Sequence, residues 1–209
     1  MKWIVLGAKG RMGSSVCEIL KEKEEAVFEV DKDESSLCAE ADIIVDFSTA
    51  ENREEYVKFA AENKIPYACF STGLSENDQL LLKNLSQKVP VLVCFNASVG
   101  MQAMFELTKL ASNLLPNSEI VLQEYHHKKK KDSPSGTAKE LLEILIGKNV
   151  VTSCYRVGNE VGIHKIQFYL EDEVLEISHR VSSKMTFAAG AVEMAERLTK
   201  KEAGLYKKI

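Results

Sequence analysis

Five short apolar runs, at residues 3–6, 26–30, 42–47, 66–70 and 89–95, alternate with segments of helical spacing, and no other feature restricts the fold of this chain more. The third run, DIIVDF, is nearly continuous, as expected of a strand buried on both faces of a parallel sheet. Strands alternating with helices predict an α/β domain with a doubly wound parallel sheet, and such sheets bind ligands at the carboxyl ends of their strands. Gly7 to Gly13, Asp31, Phe47-Ser48-Thr49, Ser71-Thr72-Gly73 and Phe95-Asn96 all fall at those ends.

The first run opens into Gly7-Ala8-Lys9-Gly10-Arg11-Met12-Gly13, after which Val16, Ile19 and Leu20 keep helical spacing. A strand, a glycine turn and a helix in that order predict a Rossmann-like dinucleotide site, with Arg11 and Met12 at the helix start. Gly7 would permit the tight turn, Gly10 the approach of a pyrophosphate, and Gly13 close packing of helix on sheet. Asp31 ends the second strand about 20 residues beyond the loop, where a ribose 2′-hydroxyl is held. Lys32 beside it suits a 2′-phosphate, so NADH and NADPH both stay open as cofactors. The plainer alternatives are a tight turn without a ligand and a surface Asp-Lys pair.

After Asn96 the character changes. A helix is predicted over 100–115, with Met104, Leu107, Leu110, Ala111 and Leu114 on its apolar side. A strand through Ile120, Val121 and Leu122 then leads into EYHHKKKKDSPSGTAKEL. His126, His127 and the four lysines 128–131 precede a helix start at Ser135-Gly136-Thr137, whose backbone N–H groups and dipole make an anion cradle. Imidazoles and ammonium groups beside such a cradle suit a small carboxylated substrate and a proton donor; a solvated basic loop is the plain alternative. Residues 161–170 and 174–181 alternate apolar and polar, which predicts an α+β unit whose open sheet face is available to another subunit. His164 and His179 lie on these alternating strands and read as structural. The small apolar residues of 186–198 predict a helix that returns to the first domain.

A net charge of −4 makes the lysine run local and argues against nucleic acid as a partner. The five cysteines are odd in number with no pair at metal-ligand spacing, and Cys69 and Cys94 sit in apolar runs, as thiols of a reducing compartment do. No signal precedes the first strand, and no apolar run approaches the roughly 18 residues a membrane helix needs. A cytoplasmic protein is expected, with no membrane partner.

GxxGRMG, an acid ending the second strand, VDFST, NASVG, HHxxKxDxPSGTA and SSKMTFAAGA follow in this order along nearly the whole chain, and together they resemble the 4-hydroxy-tetrahydrodipicolinate reductase family of the diaminopimelate route to lysine. The resemblance implies reduction of 4-hydroxy-tetrahydrodipicolinate, a small dicarboxylate, to tetrahydrodipicolinate with NADH or NADPH. It implies His126 as general acid, Lys130 as the other catalytic residue, His127 as an aid to substrate binding, and Ser135, Gly136 and Thr137 as holders of a substrate carboxylate. Imidazole titrates near physiological pH, which suits proton transfer after hydride addition. No metal is implied.

The expected domains are 1–97 with 184–209 for the dinucleotide, and 98–183, carrying an open mixed sheet, for substrate and for assembly into a homotetramer. Phe70 stands where the family commonly has glycine, Ala97 where it has phenylalanine, and Lys184 where it has arginine. Two further readings remain, a dinucleotide-binding sensor without turnover and a dehydrogenase of another small carboxylated substrate.

Overall fold

The structure, a computed structural model, describes residues 1–31 and 37–207, so Lys32 lies outside the described residues. In chain order it runs β1 (Lys2–Leu6), α1 (Arg11–Glu22), β2 (Ala26–Val30), β3 (Ile43–Asp46), α2 (Arg53–Asn63), β4 (Tyr67–Cys69), α3 (Glu76–Leu85) and β5 (Pro90–Val93). It continues through α4 (Val99–Leu114), β6 (Glu119–His126), α5 (Gly136–Ile144), β7 (Val150–Arg156), β8 (Gly162–Tyr169), β9 (Val174–Val181), α6 (Met185–Leu198) and β10 (Gly204–Tyr206). Two compact units result, Met1–Ala97 with Met185–Ile209, and Ser98–Lys184.

In the first unit six strands lie in the order β10-β5-β4-β3-β1-β2, every pairing parallel. The chain moves one way from β1 to β2, then starts β3 on the other side of β1, which makes the carboxyl ends of β1 and β3 the topological switch point. The strands are apolar throughout because both faces are covered. Trp3, Val5, Ile43 and Val45 pack with residues of α1 and α6, whereas Ile4, Leu6 and Ile44 pack with residues of α2 and α3. Strand β10 has no counterpart in the sequence reading, since three residues are too few to show a period; it forms by pairing with β5.

In helix α3, where leucine spacing predicts Leu80, Leu81 and Leu85 inward, Leu85 is buried and Leu81 packs on the core, but Leu80 is 55% exposed and Asp78 and Leu82 are buried as well. The Ser75 capping box starts the helix at Glu76, and the ion pair of Asp78 with Arg53 holds that face down.

In the second unit β7-β6-β8-β9 form a mixed sheet, parallel between β6 and β7 and antiparallel elsewhere. Helix α5 is therefore the crossover of a β6-α5-β7 unit, and its N-terminus comes to the carboxyl end of β6. Strand β7 was not legible, because VVTSCYR has little apolar alternation; parallel pairing with β6 makes it a strand. Met101, Met104 and Phe105 of α4, with Ala138, Leu141 and Leu145, close the core against Ile120, Leu122, Ile166 and Phe168. Leu107, Leu110 and Leu114, expected inside, are exposed, because α4 meets the sheet along Met101, Met104, Phe105, Thr108 and Ala111. The other sheet face exposes Val151, Tyr155 and Tyr169, with Tyr125 and Tyr155 stacked at 4.5 Å. No helix among the described residues is long and apolar enough to cross a membrane.

Candidate active site

The switch point of the first unit is built for close approach. Gly7 stands at φ +72°, and a Cβ there would lie 2.8 Å from the Phe47 carbonyl oxygen. A Cβ on Gly13 would lie 2.1 Å from the Gly7 oxygen, so α1 reaches the turn only because residue 13 is glycine. Gly10 caps α1 without a side chain and no acid stands in the first turn, so the positive end of the helix dipole faces outward uncompensated. A cavity of about 150 Å³ is lined by Gly7, Gly10, Asp31, Phe47, Ser48 and Thr49, among others. Asp31 accepts a hydrogen bond from the Lys9 N–H at 3.2 Å. A bare helix N-terminus at one end of the cavity and a carboxylate at the other fit the pyrophosphate and ribose of a dinucleotide.

Ser48 of that lining is tied to a buried polar cluster centred on Asp46. Its carboxylate accepts from the Ser48 N–H at 2.7 Å, the Ser48 hydroxyl at 2.6 Å, the Tyr67 hydroxyl at 2.8 Å and Arg53 Nε at 3.3 Å. The Ser71 hydroxyl donates inward to the Ser48 carbonyl at 2.8 Å. Ser48 and Ser71 thus use their hydroxyls to shape the loop, leaving backbone for a ligand. Phe70 is buried and stacks on Phe47 at 5.3 Å, so this departure from the family pattern is taken up by the core. Arg11, Thr72 and Gly73 are exposed, Phe95 is 52% exposed, Asn96 is buried, and Met12 packs on the core.

In the second unit the four inward positions of β6 are Ile120, Leu122, Glu124 and His126. Glu124, fully buried, accepts from the Ser135 N–H at 3.1 and 3.2 Å and from Arg156 Nη2 at 2.9 Å. Burial acts to raise its carboxyl, but the hydrogen bonds from Ser135 and Arg156 outweigh that and hold it below the usual carboxylate range. His126 Nδ1 lies 3.6 Å from Glu124 Oε2, and His164 stands edge-on to His126 with ring centres 5.2 Å apart. A Cβ on Gly162 would sit 3.4 Å from His126 Nε2, so glycine keeps that nitrogen clear of a neighbouring side chain.

Burial is the main cause that pushes His126 down to about 4; the positive charges of Lys130 and Arg156 add to it, and Glu124 opposes it. The expectation of a ring titrating near neutral pH is therefore replaced by a ring that is neutral there in the free protein. Lys130 Nζ pairs with Asp132 Oδ1 at 2.8 Å. Burial acts to raise Asp132, but hydrogen bonds from Lys130 and from the backbone of Gly136 hold it low. The N-terminus of α5 thus already attracts a carboxylate. Ser135 caps this helix, accepting the Ala138 N–H at 3.1 Å, with Gly136 and Thr137 as its first residues. His127, next along the chain, is half-buried.

The structure brings His126, Lys130, Ser135 and Gly136 together and adds three residues that sequence reading did not place here: Glu124, Arg156 and His164. Glu124 had a signal, since a charged residue at an inward position of an apolar strand is costly unless it is paired. The pairing itself was hidden, because Glu124 faces His164 only through the antiparallel register of β6 and β8.

The dihydrodipicolinate reductase N-terminus family matches residues 1–97 and the corresponding C-terminus family residues 100–208. A 4-hydroxy-tetrahydrodipicolinate reductase of Campylobacter jejuni is 33% identical, covering 97% of this chain and 95% of that protein. One from Thermosipho africanus is 34% identical, covering 99% and 95%. A dipicolinate-bound dihydrodipicolinate reductase from a Paenisporosarcina species superimposes with a TM-score of 0.76 over 100% of this chain and 97% of that one; at 16% identity it speaks for the fold alone.

Proposed function

This chain belongs to the dihydrodipicolinate reductase family, and on that premise we propose that His126 and Lys130 carry its chemistry. The protein reduces 4-hydroxy-tetrahydrodipicolinate to tetrahydrodipicolinate in the diaminopimelate route to lysine, with NADH or NADPH as cofactor. The observation that carries the residue assignment is the β6-α5-β7 crossover, which sets His126 at the end of a strand beside a helix N-terminus that already holds a carboxylate.

The unit of Met1–Ala97 and Met185–Ile209 holds the dinucleotide, with Gly7, Gly10 and Gly13 making room at the bare end of α1 and Asp31 taking a ribose hydroxyl. Bound there, the nicotinamide supplies a hydride. The Ser98–Lys184 unit holds the dicarboxylate. One substrate carboxylate takes the place of Asp132 at Gly136 and Thr137, helped by His127, and Lys130 turns from Asp132 to neutralise it. His126 delivers the proton from Nε2. Its low pKa makes it a strong acid once charged, and the negative charge of the substrate together with Glu124 behind Nδ1 favours the imidazolium.

The purified chain is expected to oxidise NADH or NADPH only when 4-hydroxy-tetrahydrodipicolinate is present, and pyridine-2,6-dicarboxylate is expected to compete with the substrate. A folded protein that binds dinucleotide but oxidises neither cofactor would sink the reading. We also assign the open sheet face, with Val151, Tyr155 and Tyr169 exposed, to a homotetramer interface. Light scattering is expected to give the mass of four 23.3-kDa chains; the mass of one chain rules this out. Three of the five cysteines, Cys17, Cys69 and Cys94, are buried, which accords with a cytoplasmic protein.

A further inference from the structure

Glu124, His126 and His164 bring three buried donor atoms within 4.8 Å of one another. Nδ1 of His126 lies 3.6 Å, and Nε2 of His164 3.7 Å, from Oε2 of Glu124. Both distances exceed hydrogen-bond length. They are close to the edge of a coordination tetrahedron, because donors held about 2.0–2.2 Å from a zinc ion lie roughly 3.3–3.6 Å from each other. His126 Nδ1 is the sharper sign: its side chain is 10% exposed, and this nitrogen has no hydrogen-bond partner among the described residues. A buried polar atom left so is costly and calls for an explanation.

We propose that Glu124, His126 and His164 form a site for a divalent transition-metal cation of the zinc class, and that an ion bound there switches the reductase off. Two imidazole nitrogens and one carboxylate oxygen suit Zn²⁺, whereas Mg²⁺ and Ca²⁺ prefer sets of oxygen ligands. Arg156 and the Ser135 N–H engage the same carboxylate, so its orientation is held before an ion arrives. The guanidinium also repels a cation, which points to micromolar rather than nanomolar binding. Ser135 Oγ, 3.3 Å from His164 Nε2, competes for that lone pair only through a long contact.

Inhibition follows from the atom the ion takes. A ring whose Nδ1 lone pair is bound to metal cannot also carry a proton there, so it cannot be the imidazolium that releases a proton from Nε2. This second half rests on His126 being the proton donor; the binding half does not.

The test uses the full chain in metal-free buffer. Calorimetric titration with Zn²⁺ is expected to show one equivalent bound, and Co²⁺ to give visible bands of a four- or five-coordinate centre without the near-ultraviolet band of a thiolate, which excludes Cys154 as the ligand. His126→Asn and His164→Asn are each expected to weaken binding at least about tenfold with circular dichroism unchanged, and His127→Asn to leave it as it was. No binding, or binding equal in folded His126→Asn and His164→Asn, overturns the site. With free Zn²⁺ set by a metal buffer, turnover is expected to fall in step with occupancy, and His164→Asn to need at least about tenfold more Zn²⁺ for half inhibition of its own rate. Binding with this ligand dependence but undiminished turnover would keep the site, overturn the switch and remove His126 as proton donor.

Discussion

Replacing His126 with alanine is expected to lower kcat about 100- to 10,000-fold while dinucleotide affinity stays unchanged. The ring belongs to the second unit, and the glycine turn, Asp31 and the cavity beside them belong to the first, so the change leaves the residues proposed to hold the dinucleotide in place. Proton delivery is made in the transition state, so the loss falls on kcat and on kcat/KM alike rather than on KM. His126 is buried, and alanine leaves a hole beside Glu124; His126→Asn, closer in size, is expected to lose as much activity while keeping more stability. Steady-state rates set against dinucleotide fluorescence titration decide the matter. A variant that keeps more than about a tenth of the rate would place the proton donor elsewhere.

Arg53→Met is expected to cost about 3–5 kcal/mol of stability. Arg53 is 2% exposed and pairs with Asp46 Oδ2 at 3.3 Å and Asp78 Oδ1 at 2.9 Å, both carboxylates being buried as well. Burial acts to lower the pKa of the guanidinium, but Asp46 and Asp78 outweigh it and hold the value raised. Methionine matches the arginine stem and leaves two carboxylates buried without their cation. In a chain of this size the loss corresponds to roughly 6–20 °C in Tm.

The cost of the change is also expected to depend on pH, and to be smaller in acid. Burial acts to raise Asp78, but hydrogen bonds from Ser75 and then Arg53 hold it below its ordinary value. A depressed carboxyl contributes stability that is present above its unfolded pKa and is lost as pH falls through the folded one. Without Arg53 the folded value rises toward the unfolded one, so this contribution shrinks and the gap between variant and parent narrows as pH falls through the carboxylate range. Adding Asp78→Asn to Arg53→Met is expected to recover part of the Tm. A single variant within about 1 kcal/mol of the parent would mean the cluster carries little.

Elements whose causes are local could be read in advance. The glycine turn is legible because Gly7 and Gly13 answer to constraints a few residues away, and the start of α5 because Ser135 caps its own helix. Runs such as Ile43–Asp46 announce a two-sided strand by composition alone. Where the cause was distant, the reading failed. Leu107, Leu110 and Leu114 looked like a core face, but the sheet meets α4 along Met101, Met104 and Phe105. Strands β7 and β10 exist because a neighbour pairs with them, which their own residues barely show.

The candidate site divides in the same way. The order of motifs along the chain determined the doubly wound sheet, the dinucleotide loop, the reductase family and the presence of His126, Lys130 and Ser135-Gly136-Thr137, since each rests on residues near one another in sequence. Only the tertiary structure decided that Glu124, Arg156 and His164 surround His126, that Asp132 lies at the end of α5, and that the His126 ring is neutral at neutral pH. Strand register sets which side chains face each other across a sheet, and burial sets the cost of a charge there. Both depend on segments far apart in the chain, so neither is visible until the chain has folded.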